Sequence, residues 1–249
     1  MNPDSTVFHI PHASTCIPPE YLSDFYENVL TENLLRMTDR YTDELFDFGF
    51  GERIVFPVSR LLCDPERFRD DGREEMAKIG MGAVYLSGYD RKPLRRGLKP
   101  ERREEILRAY YDPHHRLLEE KTKNALTRFG TCLIIDCHSF SPIPLPYEKD
   151  SLRPDICIGT DRIHTPCWLS TALKKSFRGA GLSVRLNRPF SCTIVPMKYD
   201  RTEPHVFSVM VEVNRRLYLA EDGKKSQGFS EIFHLLRRVI VSEIIRRNP

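Results

Sequence analysis

The chain has 249 residues, 40% of them apolar and 29% charged, with 38 basic against 35 acidic side chains and a formal net charge of +3. A chain of this size buries about 70–75% of its unfolded surface, enough for one well-built core without disulfide staples. The near balance of charge does not point to nucleic acid, anionic lipid or another polyanion as partner, and apolar runs such as Val239-Ile240-Val241 fall far short of the ~18–20 residues of a membrane span.

Met1-Asn2-Pro3-Asp4-Ser5 has neither the basic nor the apolar region of a secretory leader. The seven cysteines, at 16, 63, 132, 137, 157, 167 and 192, form no CxxC pair. Scattered through apolar segments, they read as the reduced thiols of a cytoplasmic protein, and their spacing excludes a cysteine zinc knuckle.

In chain order, Thr6–Ile10 reads as a strand that stops at Pro11-His12. Residues 20–27 and 32–48 carry helical periodicity, with Leu34, Leu35, Tyr41, Leu45 and Phe46 on recurring positions. Arg53–Val58 is a second strand, and 66–97 is polar and glycine-rich, the pattern of a long loop that is functional or mobile. Pro100 opens a helix that runs to Phe129, with a kink or break at Tyr111-Asp112 ahead of Pro113. Thr131–Ile135 is a β-favouring run suited to a strand buried on both faces. Strand 155–159, helix 166–178, strands 183–186 and 206–213 and a last helix over 229–247 follow. Strands alternating with helices, with no repeat and no composition shift, predict one α/β domain over 1–249 with a central, mixed but mostly parallel sheet flanked by helices.

Open α/β sheets bind ligands at the carboxyl ends of their strands, and polar residues there stand out. His12 follows the first strand; Asp136, His138 and Ser139 follow the run at 131–135. Two histidines at two strand ends suit a catalytic zinc, which also takes carboxylate. Asp39, or Asp43 one turn on, could supply it, although an acid early in a helix is equally explained by the helix dipole. A lone histidine at a strand end is, equally, a common structural or solvated residue. Asp136 and His138, two apart on a strand, face one side, where one could orient the other. Glu212, inside the alternating valines 209, 211 and 213, is edge-facing, ion-paired or placed for chemistry, and burial would give it the raised pKa of a general base.

Taken together these segments resemble the N-formylglutamate amidohydrolase (N-formylglutamate deformylase) family. The resemblance runs in order through Ile10-Pro11-His12-Ala13, Thr38-Asp39 with Asp43-Glu44-Leu45-Phe46-Asp47-Phe48, Val58-Ser59-Arg60-Leu61 with Asp64 and Arg67, Tyr111-Asp112-Pro113-His114-His115, Ile135-Asp136-Cys137-His138-Ser139, the stretch 154–160, and Val211-Glu212-Val213-Asn214 with Leu217-Tyr218. It implies a fold like that of the zinc carboxypeptidases and the wider phosphorylase/hydrolase-like group. It implies one zinc held by His12, Asp39 and His138, with Asp43 the competing carboxylate, Glu212 as general base, and Arg60 and Arg67 on substrate carboxylates. Ion pairing with Asp64 and Glu66 is the other explanation of those arginines. His115 is a fainter candidate that a helix-surface role explains equally.

Two segments depart from the family. Asp64-Pro65-Glu66-Arg67 replaces Asp-x-Asn-Arg, setting an extra negative charge beside the expected anion clamp, and Phe190-Ser191-Cys192 replaces an aromatic residue with paired glycines. The implied reaction is zinc-dependent hydrolysis of the amide of a small N-acyl amino acid, with N-formyl-L-glutamate, giving formate and glutamate, as leading substrate. A related zinc deacylase or peptidase acting on another anionic substrate is the near alternative. An RNA-binding or interaction module using the basic run 91–99 is the distant one, which the lack of interleaved aromatics disfavours. Cys137, as a possible thiol nucleophile, is set aside because it points away from His138 on a strand.

Overall fold

The computed structural model describes residues 2–148 and 150–245, with the side chains of 244 and 245 excepted. Its strands are β1 (Thr6–Ile10), β2 (Glu52–Val55), β3 (Cys132–Phe140), β4 (Ile156–Gly159), β5 (Val184–Leu186) and β6 (Val206–Asn214). They form one sheet in the order β2-β1-β3-β6-β4-β5. All neighbours are parallel except β4 and β6, which run antiparallel, so the mixed, mostly parallel α/β sheet expected from sequence is present.

The helices are α1 (Pro19–Leu22), α2 (Glu27–Met37), α3 (Thr42–Leu45), α4 (Pro100–Ile106), α5 (Asp112–Phe129), α6 (Cys167–Gly179) and α7 (Gly228–Ile245). The end of the helix expected over 229–247 lies outside the described residues.

Side-chain alternation divides the two faces of the sheet. On one face Phe8, Ile10, Ile135, Cys137, Val209, Val211 and Val213 pack with Leu169, Leu173 and Phe177 of α6 and with Ile232, Leu236, Val239 and Ile240 of α7. On the other, Val7, Ile54, Cys132, Ile134 and Val206 pack against Leu118 and Ala125 of α5. Continuing along that second face toward the carboxyl ends, the side chains become His9, Asp136, His138 and Glu212. Parallel register sets His9 beside Asp136 and His138 beside Glu212. The helices thus cover the apolar amino half of this face and leave a polar carboxyl half for a site.

Three expectations are corrected. The strand expected to end at Ile135 continues to Phe140 with all nine residues buried, so Asp136, His138 and Ser139 sit within it. The helix expected over 32–48 breaks after Met37: Thr38 is extended and Tyr41 takes a left-handed φ of 62° before α3 starts. Asp39 therefore lies in a turn between helices, and the helix-dipole explanation of it lapses. Of the kink or break expected at Tyr111-Asp112, the break is absent: a π-helical turn, Leu107–Tyr111, joins α4 to α5, and Pro113 follows in the first turn of α5.

The long segment 66–97 is ordered by a second core. Met81, Ala83, Tyr85 and Leu94 are buried with Leu61, Leu62 and Ile106, and short 3-10 turns run over Asp71–Arg73 and Glu75–Ile79.

Candidate active site

The turn after α2 is tied to the segment after β1: the Asp39 N–H donates to the His12 carbonyl at 2.9 Å, and Thr42 Oγ1 donates to the Asp39 carbonyl at 2.8 Å. The segment carrying Arg60, Asp64 and Glu66 is pinned from inside by Arg95. This buried guanidinium donates to the carbonyls of Leu61, Leu62 and Tyr85 at 2.7–3.0 Å. Burial lowers Arg95 to about 10, against the pull of Asp24. Arg95 belongs to the basic run 91–99, so one of the charges that suggested a nucleic-acid surface is interior.

These two segments and the ends of β3 and β6 enclose a cleft of about 540 Å³, lined by His12, Asp39, Arg60, Glu66, Arg67, His138, Ser139, Glu212 and Arg215 among others. His12 and His138 face one another with ring centroids 5.1 Å apart. Asp39 Oδ2 lies 3.2 Å from His138 Nδ1 and 3.7 Å from His12 Nδ1. The opposite ring edges meet carboxylates as well: His12 Nε2 is 2.9 Å from Asp64 Oδ1, and His138 Nε2 is 3.1 Å from both Asp136 Oδ1 and Glu66 Oε1. Asp39 Oδ1 accepts from Arg215 at 2.7 Å, and Ser139 joins the same network, its N–H donating to Asp39 Oδ2 and its Oγ accepting from Arg215.

The electrostatics follow from this crowding. Burial opposes ionisation of Asp39, but His12, His138 and Arg215 outweigh it and hold the carboxyl well below its usual range. Burial likewise opposes ionisation of Asp64, which Arg60 and His12 keep ionised, and of Asp136, which His138 and His9 keep ionised. For Glu212 the balance goes the other way. Burial raises it to about 8, with Asp39 and Glu66 adding to the rise against His138 and Arg215. Its Oε2 is buried without a hydrogen-bond partner, as is His12 Nδ1.

Of the residues expected from sequence, His12, Asp39, Arg60, Arg67, His138, Ser139 and Glu212 line this cleft, and Asp136 lies directly behind His138. Asp43 does not line it; it is on α3, its carbonyl accepting from Arg53. His115 faces elsewhere, its Nε2 2.8 Å from the Pro65 carbonyl, and burial lowers it to about 4. Arg60 Nη2 donates to Asp64 Oδ2 at 2.8 Å, and Arg67 Nε lies 3.8 Å from the same oxygen, so both arginines hold an ion pair while lining the cleft. Glu66 makes no ion pair with either among the described residues; it turns to the histidines.

Four participants were missed from sequence. Glu66 was read only as a neighbour of Arg67, yet its carboxylate, His12 and His138 place ligand atoms within 4.8 Å of one another. His9 was read as strand, and it contacts Asp136 and His114. Tyr85 donates to Asp64 at 2.7 Å, and Arg215 holds Asp39. The alternation of β1 could have flagged His9, a histidine one step of two away from Val7 on a buried face.

The donor set fits a divalent cation: His12, His138 and Glu66 bring ligand atoms within 4.8 Å of one another, and Asp39 lies across the other ring edges of the same two imidazoles, beside the orphaned His12 Nδ1. The fold and site are those of an open α/β protein that gathers histidines and carboxylates at the carboxyl edge of its sheet, in an arginine-lined cleft. The chain belongs to the N-formylglutamate amidohydrolase family, whose profile matches residues 4–219.

It is similar in structure to the N-formylglutamate amidohydrolase of Ralstonia eutropha JMP134, with a TM-score of 0.85 at 22% identity over 98% of this chain and 95% of that one. A gene product of Agrobacterium tumefaciens is similar with a TM-score of 0.74 at 19% identity over 99% of this chain and 92% of that one. No curated protein matches the chain in sequence.

Proposed function

We propose that this protein is a zinc-dependent amidohydrolase that cleaves the amide bond of a small N-acyl amino acid, with N-formyl-L-glutamate as the leading substrate. The observation that carries the proposal is the orphaned His12 Nδ1, facing Asp39 and His138 in a cleft whose other wall is the unpartnered Glu212.

His12 and His138 would hold the ion through Nδ1, with Asp39 as the carboxylate. Asp64 and Asp136 sit on the far ring edges, the arrangement that fixes a histidine tautomer and raises its basicity. When bound, the ion supplies Lewis acidity to the amide carbonyl and to water. Glu212 accepts the proton of the attacking water and returns it to the leaving amine, and its buried position suits both steps. Arg60 and Arg67 orient the substrate through its carboxylates, which a guanidinium grips bidentately. Family membership supports an amide as the bond cleaved. Seven free cysteines support a cytoplasmic setting.

The test joins metal analysis to kinetics. His12→Ala and His138→Ala are expected to lose zinc, whereas Glu212→Gln keeps it while turnover falls by about a hundredfold or more. Activity that survives complete metal removal overturns the mechanism, and loss of metal from Glu212→Gln makes that residue a ligand. Among substrates, N-formylglutamate is expected to exceed N-formylglutamine and a neutral N-formyl amino acid. Equal turnover of the three leaves an amidohydrolase and removes the substrate named here.

A further inference from the structure

The carboxylates of the cleft are not all matched by arginine or lysine. Asp39 pairs with Arg215, and Asp64 with Arg60 and Arg67. Glu66 and Asp136 meet only histidines as cationic partners among the described residues, Asp136 also accepting the Ile194 N–H at 3.2 Å. At their meeting point His9 Nδ1 lies 2.7 Å from Asp136 Oδ1 and 3.8 Å from Glu66 Oε1. Ligand atoms of the three residues all fall within 4.8 Å of one another.

We propose that His9, Glu66 and Asp136 form a second divalent-cation site, beside the one assigned to His12, Asp39 and His138. The inference rests on reading the cleft as a metal centre, and its test separates the two. One imidazole with two carboxylates suits zinc, cobalt or manganese. Asp136 is buried and Glu66 partly so; holding the two anions together there without a fixed cation is costly, and a bound ion removes that cost. The other edge of His9 is already arranged for ligation. Its Nε2 is 2.8 Å from His114 Nε2; with the proton on His9 Nε2 and His114 accepting it, the Nδ1 lone pair points at the carboxylates. His9 is wholly buried, but the Glu66 side chain keeps 18% of its surface exposed on the cleft, which gives an ion its way in.

The experiment is to strip the full-length protein with a chelator, titrate it with Zn²⁺, and count bound ions by calorimetry and native mass spectrometry. The wild type is expected to bind two ions per chain, and His9→Ala and His12→Ala one each. His9→Gln, which keeps hydrogen bonding but removes the imidazole, is expected to bind one as well. The wild-type count stands even if a variant fails to fold. One ion in the wild type, or two in both His9 variants, overturns the second site. If that single ion is lost from His12→Ala, the function proposed above stands without it; if no ion binds at all, both fall.

Discussion

Arg60 and Arg67 look alike in sequence, two arginines flanking an acid, but their surroundings assign them different work. Arg60 Nη2 and Tyr85 both donate to Asp64 Oδ2, at 2.8 and 2.7 Å, on a carboxylate that is fully buried. Arg67 stands farther off, and its buried Nε has no hydrogen-bond partner. Removing Arg60 therefore takes the nearest guanidinium from a buried anion, leaving it His12, Tyr85 and the more distant Arg67, at a cost of at most about 3–5 kcal/mol, while removing Arg67 mainly deletes a donor available to substrate. Arg67→Ala is expected to raise KM for an acidic substrate by the equivalent of about 1.5–3 kcal/mol with kcat little changed, because a clamp used equally in ground and transition states is uniform binding. Arg60→Ala is expected to lower the denaturant midpoint as well. Steady-state kinetics and equilibrium unfolding of both variants check this; an Arg67→Ala variant that loses kcat at constant KM would place Arg67 in the chemistry instead.

At the scale of elements, the segment 59–67 carries most of what sequence reading could not see. The strands and their polar ends were legible because alternation and β-branched runs report burial directly, and the ordered motifs marked His12, His138 and Glu212. Periodicity alone carried a helix through Asp39, because a single left-handed residue, Tyr41, leaves no trace in a hydrophobic pattern. Adjacency suggested that Glu66 would offset Arg67, yet neighbours in a loop can point in opposite directions. Arg95 read as one charge among several in a basic run, whereas its side chain is wholly buried beneath that segment. Arg95→Met is expected to destabilise the protein by about 3 kcal/mol or more, since it leaves three buried carbonyls short of a charged donor. It should also loosen the segment that holds Asp64 and Glu66. Denaturant unfolding together with hydrogen exchange across 59–67 measures both effects, and a variant with wild-type stability would show that the core of Leu61, Leu62 and Tyr85 suffices to hold the segment.

For the molecule as a whole, the cleft joins pieces far apart in the chain: the end of β1, the turn after α2, the segment 59–67, and the ends of β3 and β6. Five carboxylates (Asp39, Asp64, Glu66, Asp136 and Glu212) gather there with three guanidinium groups (Arg60, Arg67 and Arg215), which pair with Asp39 and Asp64, and with His9, His12 and His138, which meet Glu66 and Asp136. In the unfolded chain these groups separate into water, so an ion held by the assembled cluster binds the native state far better than the unfolded one. For the ion proposed above, ligand linkage would make it a global stabiliser, by about 4 kcal/mol when its free concentration is a thousand times its Kd. At about 2–4 °C per kcal/mol for a chain of this length, stripping the metal is expected to lower Tm by roughly 8–16 °C, and stoichiometric zinc to restore it. Histidines and cysteines of the unfolded chain also bind zinc, which makes these figures an upper range. The control is His12→Ala, whose Tm should respond much less to chelator, because the assembled ligand set is broken before any metal is removed. A wild type that loses its metal with no change in Tm would mean that the cluster is held together by its arginines and hydrogen bonds alone, and that the ion serves chemistry without supporting the fold.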